Sequence, residues 1–197
     1  ETEPECTSLV IGSPQTRQFS LHGLWPDPRE YCGVKPAQVA DDKAGRWSQL
    51  PAVALDGATR SALDAAMPGT RSLLERHEWI KHGTCSGMSE NAYFAASTHL
   101  MQVINTSQLR DLFEARAGET LTIDAVREAV NAAFGPGTGA RLRMSCVDDD
   151  NRRLITELTI GLTGTIRPDS DVAGLILAAA PTKGGCNSGV VDLIGAQ

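Results

Sequence analysis

The stretch ERHEWIKHGTC, Glu75 to Cys85, holds two of the chain's four histidines, two carboxylates, a lysine and a cysteine. Its centre, HEWIKH, is one residue longer between its histidines than the metal-binding pattern H-E-x-x-H. On a helical wheel at about 100° per residue, with His77 at zero, Lys81 falls near 40°, Glu78 near 100° and His82 near 140°. Trp79 and Ile80 fall on the other side. One arc is therefore ionisable and the opposite side apolar, so the helix is expected to pack through Trp79 and Ile80 and to offer His77, Glu78, Lys81 and His82 to a cleft. Histidines at i, i+5 with a lysine cation between them do not share a zinc ion as an i, i+4 pair does, and no metal or other cofactor is expected.

A solvated helix face with i, i+4 pairs would explain Glu78 and Lys81. It does not explain two histidines on the same arc. Two imidazoles, a lysine and a carboxylate suit phosphoryl transfer without a metal. One imidazole takes a proton from the nucleophile, another supplies one to the leaving oxygen, and a cation balances charge on phosphorus. Imidazole titrates near 6.5, so both protonation states are available at mildly acid pH. The partner histidine is then sought elsewhere. His99 reads as a structural histidine on a helix, and His22 is the candidate.

His22 lies in FSLHGLWPD, where Phe19 and Leu21 suggest a strand from Gln18 running into a Pro-rich loop. Trp25 and Asp27 follow within that loop. An aromatic ring beside a carboxylate suits recognition of a nucleic-acid base by stacking and by accepting from an exocyclic amine. A core tryptophan with a turn-forming aspartate before Pro28 would read equally well from this loop alone.

The rest of the chain sets the frame. With 197 residues it is long enough for one domain with a substantial core, and a single domain over residues 1–197 is expected. The 18 basic and 24 acidic residues leave a formal charge of −6, so no global field attracts a polyanion and any such substrate needs a local site. No apolar run reaches membrane-spanning length. The periodicity predicts helices over Leu55–Met67, Ser72–His82 (with a Ser72-x-x-Glu75 capping box and Gly83 past its end), Tyr93–Ile104, Ser107–Ala117 and Ile123–Phe134. Alternation then predicts a hairpin, Leu142–Cys146 and Leu154–Leu162 around DDDN, and a late strand in GVVDLI. Residues 33–54 are assigned no element. The expected class is α+β, a central antiparallel sheet with helices packed around it.

Taken together, FSLHGLWPD and HEWIKHGTC resemble the two active-site segments of the ribonuclease T2 family of acid ribonucleases, in order and in separation. MPGTRSLLERHEWIKHGTC, the following AYF helix, RLRMSC and GGCNSGVVD resemble the bacterial members in particular. The resemblance implies an endoribonuclease that cleaves single-stranded RNA through a 2′,3′-cyclic phosphate to a 3′-phosphate. It makes His82 the general base, His22 the general acid, Lys81 and Glu78 the stabilisers of pentacovalent phosphorus, and His77 a phosphate ligand. Trp25, Asp27 and Tyr31 would form the first base pocket. Leu74 stands where several members place an aromatic against the second base, so discrimination there should be weak. A non-catalytic secreted relative with a binding or storage role is the alternative.

Five cysteines, Cys6, Cys32, Cys85, Cys146 and Cys186, occur without a C-x-x-C pair, which suits long-range disulfides and an oxidising compartment. The resemblance pairs Cys32 with Cys85 and Cys146 with Cys186, and implies a secreted or periplasmic protein, otherwise monomeric. Cys6 is left over. The expectation drawn from it is a chain lacking the family's first strand, with a small N-terminal peptide attached through Cys6.

Overall fold

The computed structural model describes residues 14–192. The expectation for Cys6 lies outside them, and neither the fold nor the relatives described below support an attached peptide. Among the described residues there are seven α-helices, namely α1 Pro36–Lys43, α2 Gly57–Ala66, α3 Leu74–Lys81, α4 Glu90–Asn105, α5 Gln108–Ala115, α6 Ile123–Phe134 and α7 Val172–Ala178. The strands are β1 Thr120–Thr122, β2 Leu142–Asp149, β3 Arg152–Ile160 and β4 Ser188–Val190, in the order β1-β4-β3-β2. The class is α+β, as the periodicity predicts. No described helix is long and apolar enough to cross a membrane.

The chain divides into two compact units, one built on Phe19–Gln102 and one on Val103–Ile166 with residues 170–192. In the second unit β2 and β3 form the expected hairpin, with Leu142 opposite Ile160 and Asp149 opposite Arg152. A bulge between Ser145 and Cys146 shifts the register once. The sheet is mixed rather than wholly antiparallel, because β3 and β4 run parallel where Leu154 faces Val190. That pairing joins segments far apart in the chain, which local alternation cannot report. The Cys146–Cys186 disulfide, with Cα atoms 5.9 Å apart, joins β2 to the segment entering β4.

The first unit is built on a core of Leu21, Leu63, Met67, Tyr93 and Phe94, with Trp79 and Leu74 packed against it. Helix α2 opens on Asp56, whose side chain accepts from Thr59 N–H at 2.7 Å. Helix α3 opens differently from expectation. Ser72 lies in the 3-10 turn Pro68–Ser72, and the N-cap is Leu73 in the left-handed region (φ 64°) with no side-chain cap. The Ser72–Glu75 capping box is therefore not formed. Glu75 instead turns inward, and its Oε1 accepts from Arg60 Nη1 at 3.2 Å. At the other end His82 is the C-cap and Gly83 begins a 3-10 turn to Cys85. A side chain at Gly83 would overlap the Trp79 ring, so only glycine lets the chain leave past it.

The strand expected from Gln18 is absent, and the segment is irregular. The Leu21 N–H donates to Ala66 O at the end of α2 (2.7 Å) rather than to a neighbouring strand. Apolar alternation shows that Leu21 is buried, at 7 % exposure, without showing what pairs with its backbone.

Candidate active site

Every residue singled out in the two histidine-bearing segments falls in the first unit. Helix α3 packs as its wheel predicts, with Ile80 buried and Trp79 edge-on to Tyr93 at 5.7 Å. This directs Glu78 inward to 1 % exposure and leaves His77 half-buried beside it. The segment carrying His22 has no secondary structure of its own and is tied down at several points. The Tyr93 hydroxyl donates to Leu24 O (2.7 Å), and Tyr31 N–H donates to Lys81 O at the end of α3 (2.8 Å). Arg29 Nη2 donates to Cys85 O (2.8 Å). The Cys32–Cys85 disulfide, with Cα atoms 5.0 Å apart, completes the attachment. These ties substitute for a strand ladder in fixing the loop against the helix.

At the centre lies the Glu78 carboxyl group. Its Oε2 accepts from the Trp25 indole Nε1–H at 2.9 Å. Its Oε1 has no hydrogen-bond partner, and faces His22 Nε2 at 3.8 Å and His77 Nε2 at 3.9 Å. A Cβ at position 23 would overlap Glu78 Oε2, so Gly23 is what lets the loop come this close. The Trp25 ring lies edge-on to His22 at 5.1 Å and tilted against His82 at 5.5 Å. His22, Glu78 and His82 thus converge around Trp25, with His77 beside Glu78. Lys81, half-buried, points its Nζ toward Glu30 Oε1 at 3.6 Å.

Burial sets the protonation of two of these groups. It pushes the Glu78 carboxyl up to about 7, against the Trp25 hydrogen bond and the charges of His22 and Lys81, which pull the other way. It also pushes His82 down to about 4, with the neighbouring Lys81 cation adding to the effect. His82 is 5 % exposed and its Nδ1 has no acceptor, so a protonated ring would bury an unpaired N–H.

The residues expected to touch bases are placed less uniformly. Trp25 is half-buried and its N–H is committed to Glu78, which makes it part of the ionisable cluster. Asp27 is exposed, on the loop side. Tyr31 is half-buried in the left-handed region (φ 54°), and its hydroxyl donates to Asp42 Oδ2 at 2.8 Å. Leu74 packs on the core and against Gly69, apart from the histidines.

Asp42 and Trp47 are additions that sequence reasoning missed. Asp42, on α1, is 4 % exposed and accepts from His77 Nδ1 at 2.8 Å. Trp47 stacks on the His77 ring at 5.1 Å. Both lie in residues 33–54, to which the sequence reading assigns no element. Lys35-Pro36, with proline at the first helical position, is the one local sign of that helix. Among the described residues no group of three or more His, Cys, Asp or Glu is arranged to hold a metal ion.

The sequence profile of the Ribonuclease T2 family matches residues 1–171. The chain belongs to this family. Among T2 relatives, Ribonuclease I of Escherichia coli (strain K12) is 29% identical over 180 residues, covering 80% of this chain and 65% of that protein. Intracellular ribonuclease LX of Solanum lycopersicum is 26% identical over 142 residues, covering 68% and 56%. The chain thus spans somewhat under two thirds of the length of these T2 relatives. In fold it is similar to the crystal structure of a self-incompatibility-associated RNase from Nicotiana alata, with a TM-score of 0.56 at 17% identity, covering 90% of this chain and 85% of that one.

Proposed function

We propose that this T2-family chain is a metal-independent endoribonuclease that cleaves single-stranded RNA by transphosphorylation. The observation that carries the reading is the convergence of His22 and His77 on the buried, half-satisfied Glu78 carboxyl, with His82 across the same tryptophan. In the first step His82 takes the proton of the ribose 2′-hydroxyl, whose oxygen attacks phosphorus. The P–O5′ bond breaks, and His22 gives its proton to O5′. A 2′,3′-cyclic phosphate results. In the second step the roles reverse, water adds, and a 3′-phosphate is left. DNA lacks the nucleophile and cannot react.

The protonation pattern supports these roles. A base whose affinity for protons is lowered to about 4 stays neutral in mild acid and is free to accept. Glu78, raised to about 7, is largely neutral there. A carboxylate beside a phosphorane would repel it, whereas a carboxylic acid can donate its O–H to a phosphoryl oxygen. Lys81 adds a cation, and His77 adds a donor to phosphate. Trp25, Asp27 and Tyr31 border the space for a base, with Asp27 the exposed acceptor. The two disulfides support a secreted or periplasmic location.

The test is to incubate the protein with RNA in excess EDTA and to analyse the ends. Cyclic-phosphate ends formed at the same rate with and without chelator are expected. Activity abolished by EDTA and restored by zinc would overturn the metal-free reading, and no cleavage under any condition would favour the non-catalytic alternative.

A further inference from the structure

The roles proposed above leave one buried carboxylate at the site unused. Asp42 lies on α1 and its side chain is fully enclosed. It faces two donors at once. His77 Nδ1 lies 2.8 Å from Oδ1 and 3.0 Å from Oδ2, and the Tyr31 hydroxyl lies 2.8 Å from Oδ2. A buried carboxylate is costly unless its lone pairs are met, and here an imidazole and a phenol meet them. Burial and the Asp42 carboxylate both raise the Tyr31 hydroxyl's hold on its proton, so Tyr31 serves as donor throughout. Trp47 stacks on the His77 ring from the turn Trp47–Gln49 and limits its rotation.

The groups facing His77 are therefore Asp42 from α1, Glu78 on its own helix, and the His82 ring at 6.4 Å, with Trp47 over its face. Asp42 lies within hydrogen-bond distance of Nδ1. A carboxylate can only accept, so Nδ1 must carry a hydrogen. The other nitrogen, Nε2, then points at Glu78 Oε1 and the space beside it.

We propose that Asp42, held by Tyr31, is the positioning residue for His77. It fixes the ring's tautomer and rotation so that Nε2 faces the phosphate position beside Glu78, and it compensates the charge when the ring is protonated to bind phosphate. The assignment of phosphate to that position rests on the proposed function; the tautomer does not. Tyr31 thereby acts through Asp42 as well as bordering a base, which links the loop Asp27–Cys32 to the anion-binding histidine.

Asp42→Asn keeps the volume but offers one acceptor to two donors. The amide can give its oxygen to Tyr31 and its NH₂ to His77 Nδ1, which forces the hydrogen onto Nε2. The measurement is the nitrogen-15 spectrum of the imidazoles at alkaline pH, with His77 assigned by substitution. Expected are an Nδ1–H tautomer in the parent and in Tyr31→Phe, an Nε2–H tautomer in Asp42→Asn, and a return toward Nδ1–H in the double variant Tyr31→Phe/Asp42→Asn. In parallel, competitive inhibition of RNA cleavage by inorganic phosphate should weaken roughly tenfold in Asp42→Asn, the scale of one charge-assisted hydrogen bond. The double variant regains the tautomer but not the carboxylate's charge, so its phosphate inhibition should stay weakened. An unchanged His77 tautomer in folded Asp42→Asn overturns the proposal, as does phosphate inhibition that is as strong in Asp42→Asn as in the parent. Should the parent cleave no RNA, the proposed function fails, and the tautomer series still decides the role of Asp42. If Asp42→Asn does not fold, Tyr31→Phe with Asp42→Glu replaces it, and an Nε2–H tautomer in the parent itself is then the overturning result.

Discussion

Trp25 looks from its loop like a platform for a base, yet its indole N–H is held by Glu78 and its ring lies between His22 and His82. Its loss should therefore be felt in chemistry as well as in binding. Trp25→Phe keeps a smaller stacking face and removes the donor. It should lower kcat by up to about tenfold, on the scale of one buried hydrogen bond, with little change in KM for a dinucleotide. A change confined to KM would return Trp25 to a pure base-binding role. His82→Ala and His22→Ala should each lower turnover by about a hundredfold or more, as for loss of an acid or base. His77→Ala should be milder. Steady-state kinetics on a dinucleotide read all three, and near-full activity of His22→Ala would remove it as the acid.

Helix α3 buries two titratable groups with opposite consequences for stability. Glu78 is raised from 4.5 to about 7, so the folded state binds its proton first. Its contribution is fully favourable below about 4.5 and is lost as pH rises through 7. His82 is lowered from 6.5 to about 4. Its contribution is favourable above 6.5 and is lost as pH falls toward 4. Each spans about 3 kcal/mol at 1.36 kcal/mol per pH unit, so the two largely cancel between pH 4.5 and 6.5. Together these two groups should add little pH dependence to the parent's melting temperature across that interval. Glu78→Gln should unmask the His82 slope and lose stability on acidification, while His82→Gln should gain it. Thermal melts at several pH values check this, and parallel slopes in the two variants would contradict it. The helix also shows why its start was misread. Ser72 and Glu75 have capping-box spacing, but Leu73 turns left-handed and Glu75 goes to Arg60.

For the whole molecule, each disulfide closes a loop within one of the two units, with sequence separations of 53 and 40. Replacing Cys146 and Cys186 by serine should cost about 2–5 kcal/mol of stability. The histidine cluster lies in the other unit, so KM and kcat measured well below the melting point should remain near the parent values. Replacing Cys32 and Cys85 should cost a similar amount and also lower activity, because that bond anchors the Trp25–Tyr31 loop to the end of α3. Equal loss of activity in both double variants would argue against this division. With a net charge of −6, attraction of any polyanion would rest on local cations.

Local pattern reports whatever repeats along one element or sits in a short motif. The 3.6-residue period marks five helices, the period of two marks the hairpin, and the wheel of α3 separates Trp79 and Ile80 from the ionisable arc. The two histidine segments, with their glycines, identify the family. The tertiary structure alone decided what depends on neighbours distant in the chain. It made the segment from Gln18 an irregular loop held by Ala66 and Tyr93, because alternation reports burial and not backbone pairing. It made β3 and β4 parallel, because a crossover leaves no local trace. It brought Asp42 and Trp47 to His77 from a stretch to which the sequence reading assigns no element. It also set the proton affinities of Glu78 and His82, since desolvation belongs to the packed interior and not to any residue alone.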